Sequence, residues 1–474
     1  MHGLLQINKI RHMLLQQKLN RRFNVFYFFL ILFHYIYDII IHILEVSTMQ
    51  IKLDDDISYV LKTINDKEYE AYLVGGFVRD SLLGFSNDDY DICTNMSLDE
   101  IENTFNGFKM MRENERRQIG RLKLNNKELE FVYFKGKTIY DDLIKRDITI
   151  NALACDYLGN VIDYVDGITD INNKVISLVE KSGAGILKDP LRILRILRFS
   201  LKCNFIIDRN TKNIILKYKY LLNDIAHERI LDEFRKILSY RDATKIINEY
   251  IDIFSIIIPE FKRMNDFNQN NPNHIYTVLE HTLKVMDNVA INNFYLRVAA
   301  LFHDIGKPFC YTEKDGVGHF YGHPKISSEI FLRFSDKYGL DKKSRDIIYK
   351  LIIYHDKDIP KKINKLNRFI YDYGKDNFDL LFLLKEADVM AQNNKYFDKL
   401  NILREEEKVV YERIANNFVF NVKDLKIDGR YLMSFGINGR DIGIVLNKIL
   451  NLVLDNQLEN EKSVLENYVN RHFG

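Results

Sequence analysis

Two aspartates one residue apart, Asp89 and Asp91 in Asn87-Asp88-Asp89-Tyr90-Asp91, follow a turn written Gly75-Gly76-Phe77-Val78-Arg79-Asp80 and a further glycine, Gly84. Residues two apart on a strand face the same way with Cα atoms about 6–7 Å apart, so the two carboxylates can share divalent metal. Hard Mg²⁺ favours carboxylate oxygens together with substrate phosphates, and two such ions can activate a 3′-hydroxyl and stabilise a leaving pyrophosphate. The glycines let backbone N–H groups approach a triphosphate at a helix start. Glycine pairs before helices mostly serve turns, and acidic loops mostly serve solvation. It is the order and spacing of the parts together that point to nucleotide chemistry.

Positioning these groups needs a sheet. The spacing of Ile57, Val60, Leu61 and Ile64 predicts a helix over Asp54 to Asn65, and Glu70 to Val74 reads as a short buried strand running into the glycine turn. Further strands are expected at Asp89 to Cys93, Gly120 to Leu124 and Glu128 to Phe134, with Asn125-Asn126 as a hairpin signal between the last two. Beyond about Ser182 the pattern turns helical almost to the end, with amphipathic runs at Leu191 to Cys203, Arg229 to Leu238 and Leu296 to Phe302. The expected fold class is α+β, a small sheet-containing head followed by an all-helical neck, body and tail.

The 474 residues exceed one compact core and imply several domains. A formal charge of only +2 means that any nucleic-acid contact must come from local basic stripes. Cys93, Cys155, Cys203 and Cys310 show no paired spacing, so neither a disulfide framework nor a zinc-cysteine site is supported and a reducing cytoplasm is the expected location. Val25 to Leu44 is apolar and follows Arg21-Arg22, but His34, Asp38 and His42 interrupt it. A carboxylate at a bilayer centre costs about 2.5–3.5 kcal/mol. Residues 1–48 are therefore read as an extension outside a fold that begins at Met49, and no membrane partner is expected.

From Met49 onward the chain resembles the class II, bacterial-type tRNA nucleotidyltransferases, or CCA-adding enzymes, with the related bacterial poly(A) polymerases. The resemblance implies a catalytic signature at Gly75, Gly76, Arg79, Asp80, Asp89 and Asp91, and a third carboxylate at Glu130 in Leu129-Glu130-Phe131-Val132. Read for itself, Glu130 is equally an outward residue of a hairpin. Lys145-Arg146-Asp147-Ile148-Thr149-Ile150-Asn151-Ala152 looks like the family's RRDFTINA motif, which contacts the nucleotide's sugar and phosphates, with Arg146, Asp147 and Asn151 in the matching places. Lys145 replaces an arginine there, which keeps the charge and loses the planar fork.

Lys188-Asp189-Pro190-Leu191-Arg192 resembles the family's EDxxR element, in which an aspartate and an arginine read the incoming base. A carboxylate accepts from the exocyclic amine of C or A while arginine donates to the adjacent ring nitrogen or carbonyl, which disfavours U and G. Positions i and i+3 share a helix face. Asp189 before Pro190 also reads as an ordinary N-cap, and Lys188 stands where the family has glutamate. Arg195, Arg198 and Lys202 continue a basic face that either meets RNA or is solvated.

A second constellation, His281, His303-Asp304, His323, His355 and Asp388, resembles the metal-binding signature of HD-domain phosphohydrolases. Imidazole with carboxylate suits Ni²⁺, Mn²⁺ or Zn²⁺ better than Mg²⁺. The last hundred residues resemble the family's tRNA-holding tail. Family members that build the full CCA end carry a flexible loop before the RRD-like motif, whereas here Gly136 to Ile144 leaves little room for one, as in the CC-adding specialists. The resemblance implies a nucleotidyltransferase head at 49–175, a neck at 176–265, an HD-type domain at 266–365 and a tail at 366–474. It implies Mg²⁺-dependent, template-independent addition of CMP and AMP to tRNA from CTP and ATP, with no DNA partner. The alternatives are a CC-adding specialist, a poly(A) polymerase, an HD-type phosphohydrolase with an inactive head, and a non-catalytic RNA-binding protein.

Overall fold

The structure, a computed structural model, describes residues 49–114, 117–270, 276–392, 398–416 and 418–473, so the reading of residues 1–48 lies outside the described residues. The chain divides into two compact units, one ending at Gly183 and the other beginning at Ala184.

In the first unit, α1 (Asp55–Asn65) buries the four apolar residues whose spacing predicts it. Strand β1 (Ala71–Val74) runs through Gly75, at φ 68°, into α2 (Gly76–Leu82). Then come β2 (Tyr90–Thr94), β3 (Phe108–Asn114), β4 (Arg117–Leu124), β5 (Lys127–Tyr133), the short helix α3 (Ile139–Leu143), β6 (Leu153–Cys155) and β7 (Val161–Asp163). They form one seven-stranded sheet in the order β3-β4-β5-β2-β1-β6-β7. Asn125 and Asn126 both take positive φ, 46° and 69°, as the two-residue hairpin loop between β4 and β5 requires. Strand β2 pairs antiparallel with β1 and parallel with β5, which places Asp91 directly beside Glu130. One apolar cluster of Val74, Cys93, Phe134, Ile139, Leu143, Ala152 and Ala154 anchors the ends of β1, β2, β5 and β6 to α3.

The second unit is helical. It includes α4 (Ala184–Lys188), α5 (Arg192–Cys203), α6 (His227–Leu238), α7 (Val278–Asn288) and α8 (Phe294–Phe302). A small hairpin of β8 (Thr312–Lys314) and β9 (Val317–His319) precedes α9 (His323–Tyr338), α10 (Lys342–Tyr354) and α11 (Phe378–Met390), and further helices reach Phe473. Arg297 is buried at the middle of this packing. Its guanidinium donates to the carbonyls of Leu238, Met286 and Tyr240 at 2.8–3.0 Å, so that one side chain satisfies chain ends that leave α6 and α7 without helical partners.

Candidate active sites in the two units

The glycine turn of the first unit is tied to the aspartate loop by a buried polar chain. Arg79 and Asp80 are each 2% exposed. Arg79 donates through Nε to Asp80 Oδ1 at 2.7 Å, and through another guanidinium nitrogen to Asn151 Oδ1. Asn151 Nδ2 reaches Asp147 Oδ1 at 3.4 Å, and Asn87 Nδ2 donates to Asp80 Oδ2 at 2.7 Å. Asn87 Oδ1 accepts the Asp89 N–H at 2.8 Å. Three residues that the resemblance assigns to nucleotide contact, Arg79, Asp147 and Asn151, are thus buried and bonded to one another. Asn87, which sequence reasoning passed over, fixes the aspartate loop; the signal was its place two residues before Asp89, where an Asn oxygen accepts a backbone N–H.

Asp89 lies exposed one residue before β2, and Asp91 is half-buried within it. Glu130 faces Asp91 across the parallel register and is also 3.4 Å from Arg121 Nη2, so its hairpin pairing and its place beside Asp91 coexist. Burial, and then the negative charges of Asp89 and Glu130, push the Asp91 carboxyl up to about 6 against the pull of Arg146. An all-oxygen cluster whose negative charges converge on one half-buried carboxyl is suited to a hard divalent cation. Arg146 is held beside it by a 2.8 Å bond to buried Asp142, and a Cβ on Gly75 would meet its guanidinium at 2.9 Å. Glycine at 75 therefore serves both its positive φ and the seat of Arg146.

A pH dependence follows. Below about 6 a proton occupies Asp91 and competes with the cation, so the Mg²⁺ concentration that gives half-maximal activity is expected to rise as pH falls from 7 to 5. A metal titration of activity at each pH measures it, and a half-saturation point that does not move would contradict the cluster's role.

Asp189, Arg192 and Arg195 belong to the second unit. Helix α5 begins at Arg192 with Leu191 as its cap and no side-chain capping bond, so the N-cap reading of Asp189 does not describe this helix start. The Asp189 carboxylate instead accepts from Arg229 Nη2 at 3.2 and 3.4 Å. Arg192 lies over Gly185, where a Cβ would come within 2.6 Å of its guanidinium. Arg198 forms a 2.6 Å ion pair with Glu233 and, like Arg195, packs on Phe199.

The six residues of the second constellation come together. His281 is on α7, His303 and Asp304 directly follow α8, His323 opens α9, His355 follows α10 and Asp388 is on α11. His281 Nε2 lies 2.8 Å from Asp388 Oδ1 and 3.5 Å from Asp304 Oδ2, while His323 Nε2 lies 3.1 Å from Asp304 Oδ1. His303, His323 and His355 each turn Nδ1 to the backbone carbonyl three residues earlier, at 2.7, 2.9 and 2.7 Å. That contact fixes ring orientation and aims Nε2 inward, as in metal-binding histidines generally. His303 Nε2 is buried and makes no well-aligned hydrogen bond among the described residues, facing Asp304 Oδ2 at 3.3 Å and Asp388 Oδ1 at 3.9 Å. Two triads, His281–His303–Asp388 and His303–Asp304–His355, each keep their ligand atoms within 4.8 Å. Burial raises the Asp304 carboxyl, but His303, Lys307 and His323 together hold it well below the usual carboxylate range. The mixed nitrogen and oxygen donors and the inward-facing imidazole nitrogen of His303, which lacks a well-aligned hydrogen bond, fit a borderline divalent metal. Lys307, 2.6 Å from Asp304 Oδ2 and 3.0 Å from Gln269 Oε1, is the member of this site that the sequence reading did not single out.

Three families match the chain in succession. They are described as the Poly A polymerase head domain over residues 71–177, the probable RNA and SrmB-binding site of polymerase A over 204–264, and the HD domain over 273–393. Such domains imply dependence on divalent metal. A CCA-adding enzyme of Lactobacillus johnsonii is 27% identical over 431 residues, 86% of this chain and 95% of that enzyme. One from Ligilactobacillus salivarius is 30% identical over 255 residues, 48% of this chain and 63% of that enzyme, so here the match spans less than two thirds of the relative. The fold is similar to that of the Bacillus stearothermophilus CCA-adding enzyme in complex with CTP, with TM-score 0.61 and 20% identity over 88% of this chain and 96% of the other. No helix of the described residues is long and apolar enough to cross a membrane.

Proposed function

The chain belongs to the nucleotidyltransferase family of CCA-adding enzymes and bacterial poly(A) polymerases, and from that membership we propose that it adds CMP and AMP to the 3′ end of tRNA, using CTP and ATP and no nucleic-acid template. The observation that carries this reading is the register of β2 and β5, which sets Asp91 beside Glu130 with Asp89 one residue before the strand. Asp89, Asp91 and Glu130 would hold Mg²⁺, which when bound neutralises triphosphate charge and makes a 3′-hydroxyl more acidic.

The 3′-hydroxyl gives up its proton to water as its oxygen attacks the α-phosphorus, the bond from that phosphorus to the oxygen bridging to the β-phosphate breaks, and pyrophosphate leaves. Gly75 and Gly76 let the chain approach the triphosphate closely, and Arg146 places a cation beside the carboxylates. The buried Arg79–Asp80–Asn151–Asp147 chain keeps the glycine turn and the aspartate loop in register. Asp189 and Arg192 read the base, and Arg195 continues toward the RNA backbone. The HD cluster would hold Ni²⁺, Mn²⁺ or Zn²⁺ as a separate phosphoester-hydrolysing site. The enzyme works in the cytoplasm on tRNA, through a head at 49–175, a neck at 176–265, an HD-type domain at 266–365, whose ligand Asp388 lies past that bound but within the matched HD residues 273–393, and a tail at 366–474 that holds tRNA.

One observation favours a second reading, in which addition stops after two cytidines. The connection between β5 and the Arg146 motif has no slack. Asp141 accepts from the N–H groups of Lys137 and Thr138 at 2.9 and 3.2 Å, and Asp142 accepts from the Lys135 N–H at 3.1 Å. A segment bound in this way offers no lever for re-aiming Asp189 and Arg192 at a larger base. Supplying tRNA that ends in CC with ATP alone separates the cases. One added AMP supports full CCA synthesis, no addition alongside ready CC synthesis supports the specialist, and a run of AMP supports poly(A) polymerase.

A further inference from the structure

We infer that Arg229 is a positioning residue for base selection: by holding the Asp189 carboxylate from α6 it sets the direction in which that group accepts from an incoming base. The inference rests on the reading of Asp189 as the base-reading carboxylate. The Asp189 backbone closes the last turn of α4, its N–H donating to the Gly185 carbonyl at 3.2 Å, but α5 begins at Arg192 and draws no capping bond from the carboxylate. What fixes it is Arg229, forty positions later in the chain, whose Nη2 sits between the two oxygens at 3.2 and 3.4 Å.

The frame behind this contact is rigid. Helices α5 and α6 are pinned by the largely buried Arg198–Glu233 pair at 2.6 Å, and Ile230, Leu231 and Phe234 bury the inner face of α6. The contact itself is open, with the Arg229 and Asp189 side chains 51% and 36% exposed. An exposed ion pair of this length adds little to stability, so a purely structural role is a weak account of it. A carboxylate has about four lone-pair directions, and one straddling nitrogen leaves the outward ones for an exocyclic amine. A fixed acceptor welcomes the 4-amino group of cytosine or the 6-amino group of adenine, and leaves the O4 of uracil and the O6 of guanine facing another oxygen. Without Arg229 the carboxylate can swing away, so that both the preference for C and A and the penalty on U and G weaken.

The experiment measures kcat/KM for CTP and for UTP on tRNA lacking its 3′ end, with the full-length protein and the variants Arg229→Ala, Arg229→Lys, Asp189→Ala and Asp189→Ala/Arg229→Ala. Arg229→Ala is expected to lower the CTP-to-UTP ratio by about tenfold, the loss of one charge-assisted hydrogen bond's worth of discrimination, mainly through a higher KM for CTP. Arg229→Lys, which keeps a cation and loses the fork, should retain part of the ratio. The double variant should be no less selective than Asp189→Ala alone, because both changes remove the same contact. Equal losses for CTP and UTP in Arg229→Ala, or a double variant whose losses add, would overturn the inference. If Asp189→Ala leaves the ratio untouched, the base-reading assignment of Asp189 fails and this inference falls with it. A ratio lost in Asp189→Ala yet kept in Arg229→Ala would overturn the role of Arg229 alone.

Discussion

Asp91→Asn is expected to lower nucleotide addition by about three orders of magnitude or more while leaving tRNA affinity nearly unchanged. The carboxylate is paired in register with Glu130 and feels the charge of Asp89, so it belongs to the centre of the cluster. Removing one ligand strips charge compensation from the transition state, where it is needed most. Affinity for tRNA should survive, because metal-free carboxylates repel phosphate and add nothing to its binding. The same variant should reverse a cost of folding. Burial and like charge raise this group from 3.8 to about 6, so its ionised form is disfavoured in the folded metal-free protein. That penalty is absent below the unfolded value, grows as pH rises through the interval, and is complete above about 6. Metal-free Asp91→Asn should therefore melt higher than the parent at pH 7.5 and equally at pH 4. Near-parental incorporation with Mg²⁺, or a lower melting point at pH 7.5, would sink the assignment.

His355→Ala is expected to abolish metal-dependent hydrolysis of a simple phosphodiester, such as bis(p-nitrophenyl) phosphate with Ni²⁺ or Mn²⁺, and to leave nucleotide addition within about twofold. The donors of the two clusters differ in kind, three carboxylates in one and imidazoles with two carboxylates in the other, so one substitution should not reach both chemistries. Asp304→Ala removes the same activity but is the poorer probe. It strips the partner from buried Lys307, and an uncompensated charge of that sort costs about 3–5 kcal/mol of stability. His355→Ala leaves the Asp304–Lys307 pair in place. Equal loss of hydrolysis and nucleotide addition in folded His355→Ala protein would argue for one shared site.

Much of this was legible in the residues because it depended on local spacing. Ile57, Val60, Leu61 and Ile64 announce α1, the Asn125-Asn126 pair announces the β4–β5 hairpin, and the spaced histidines and aspartates announce the cluster that α7 to α11 assemble. Strand β3 was missed because Phe108 to Asn114 contains no β-branched residue and no clean alternation, and it is held by its pairing to β4. Asp89 read as part of a strand but stands just before it, its N–H taken by Asn87. The inward turn of Arg79 and the pairing of Asp189 with Arg229 were not legible, because each depends on a partner many residues away: Asn151 for the first, and α6 for the second. Motif spacing locates functional groups, but it does not say which of them are used up in holding the others.

The most direct test of the nucleotidyltransferase reading is to incubate the purified full-length protein and Mg²⁺ with tRNA ending at the discriminator base and each labelled nucleoside triphosphate in turn. The account predicts that CTP alone extends the tRNA by two residues, that CTP with ATP extends it by three or stops at two, and that UTP and GTP are refused. Folded protein that transfers no nucleotide to tRNA from any of the four would contradict it.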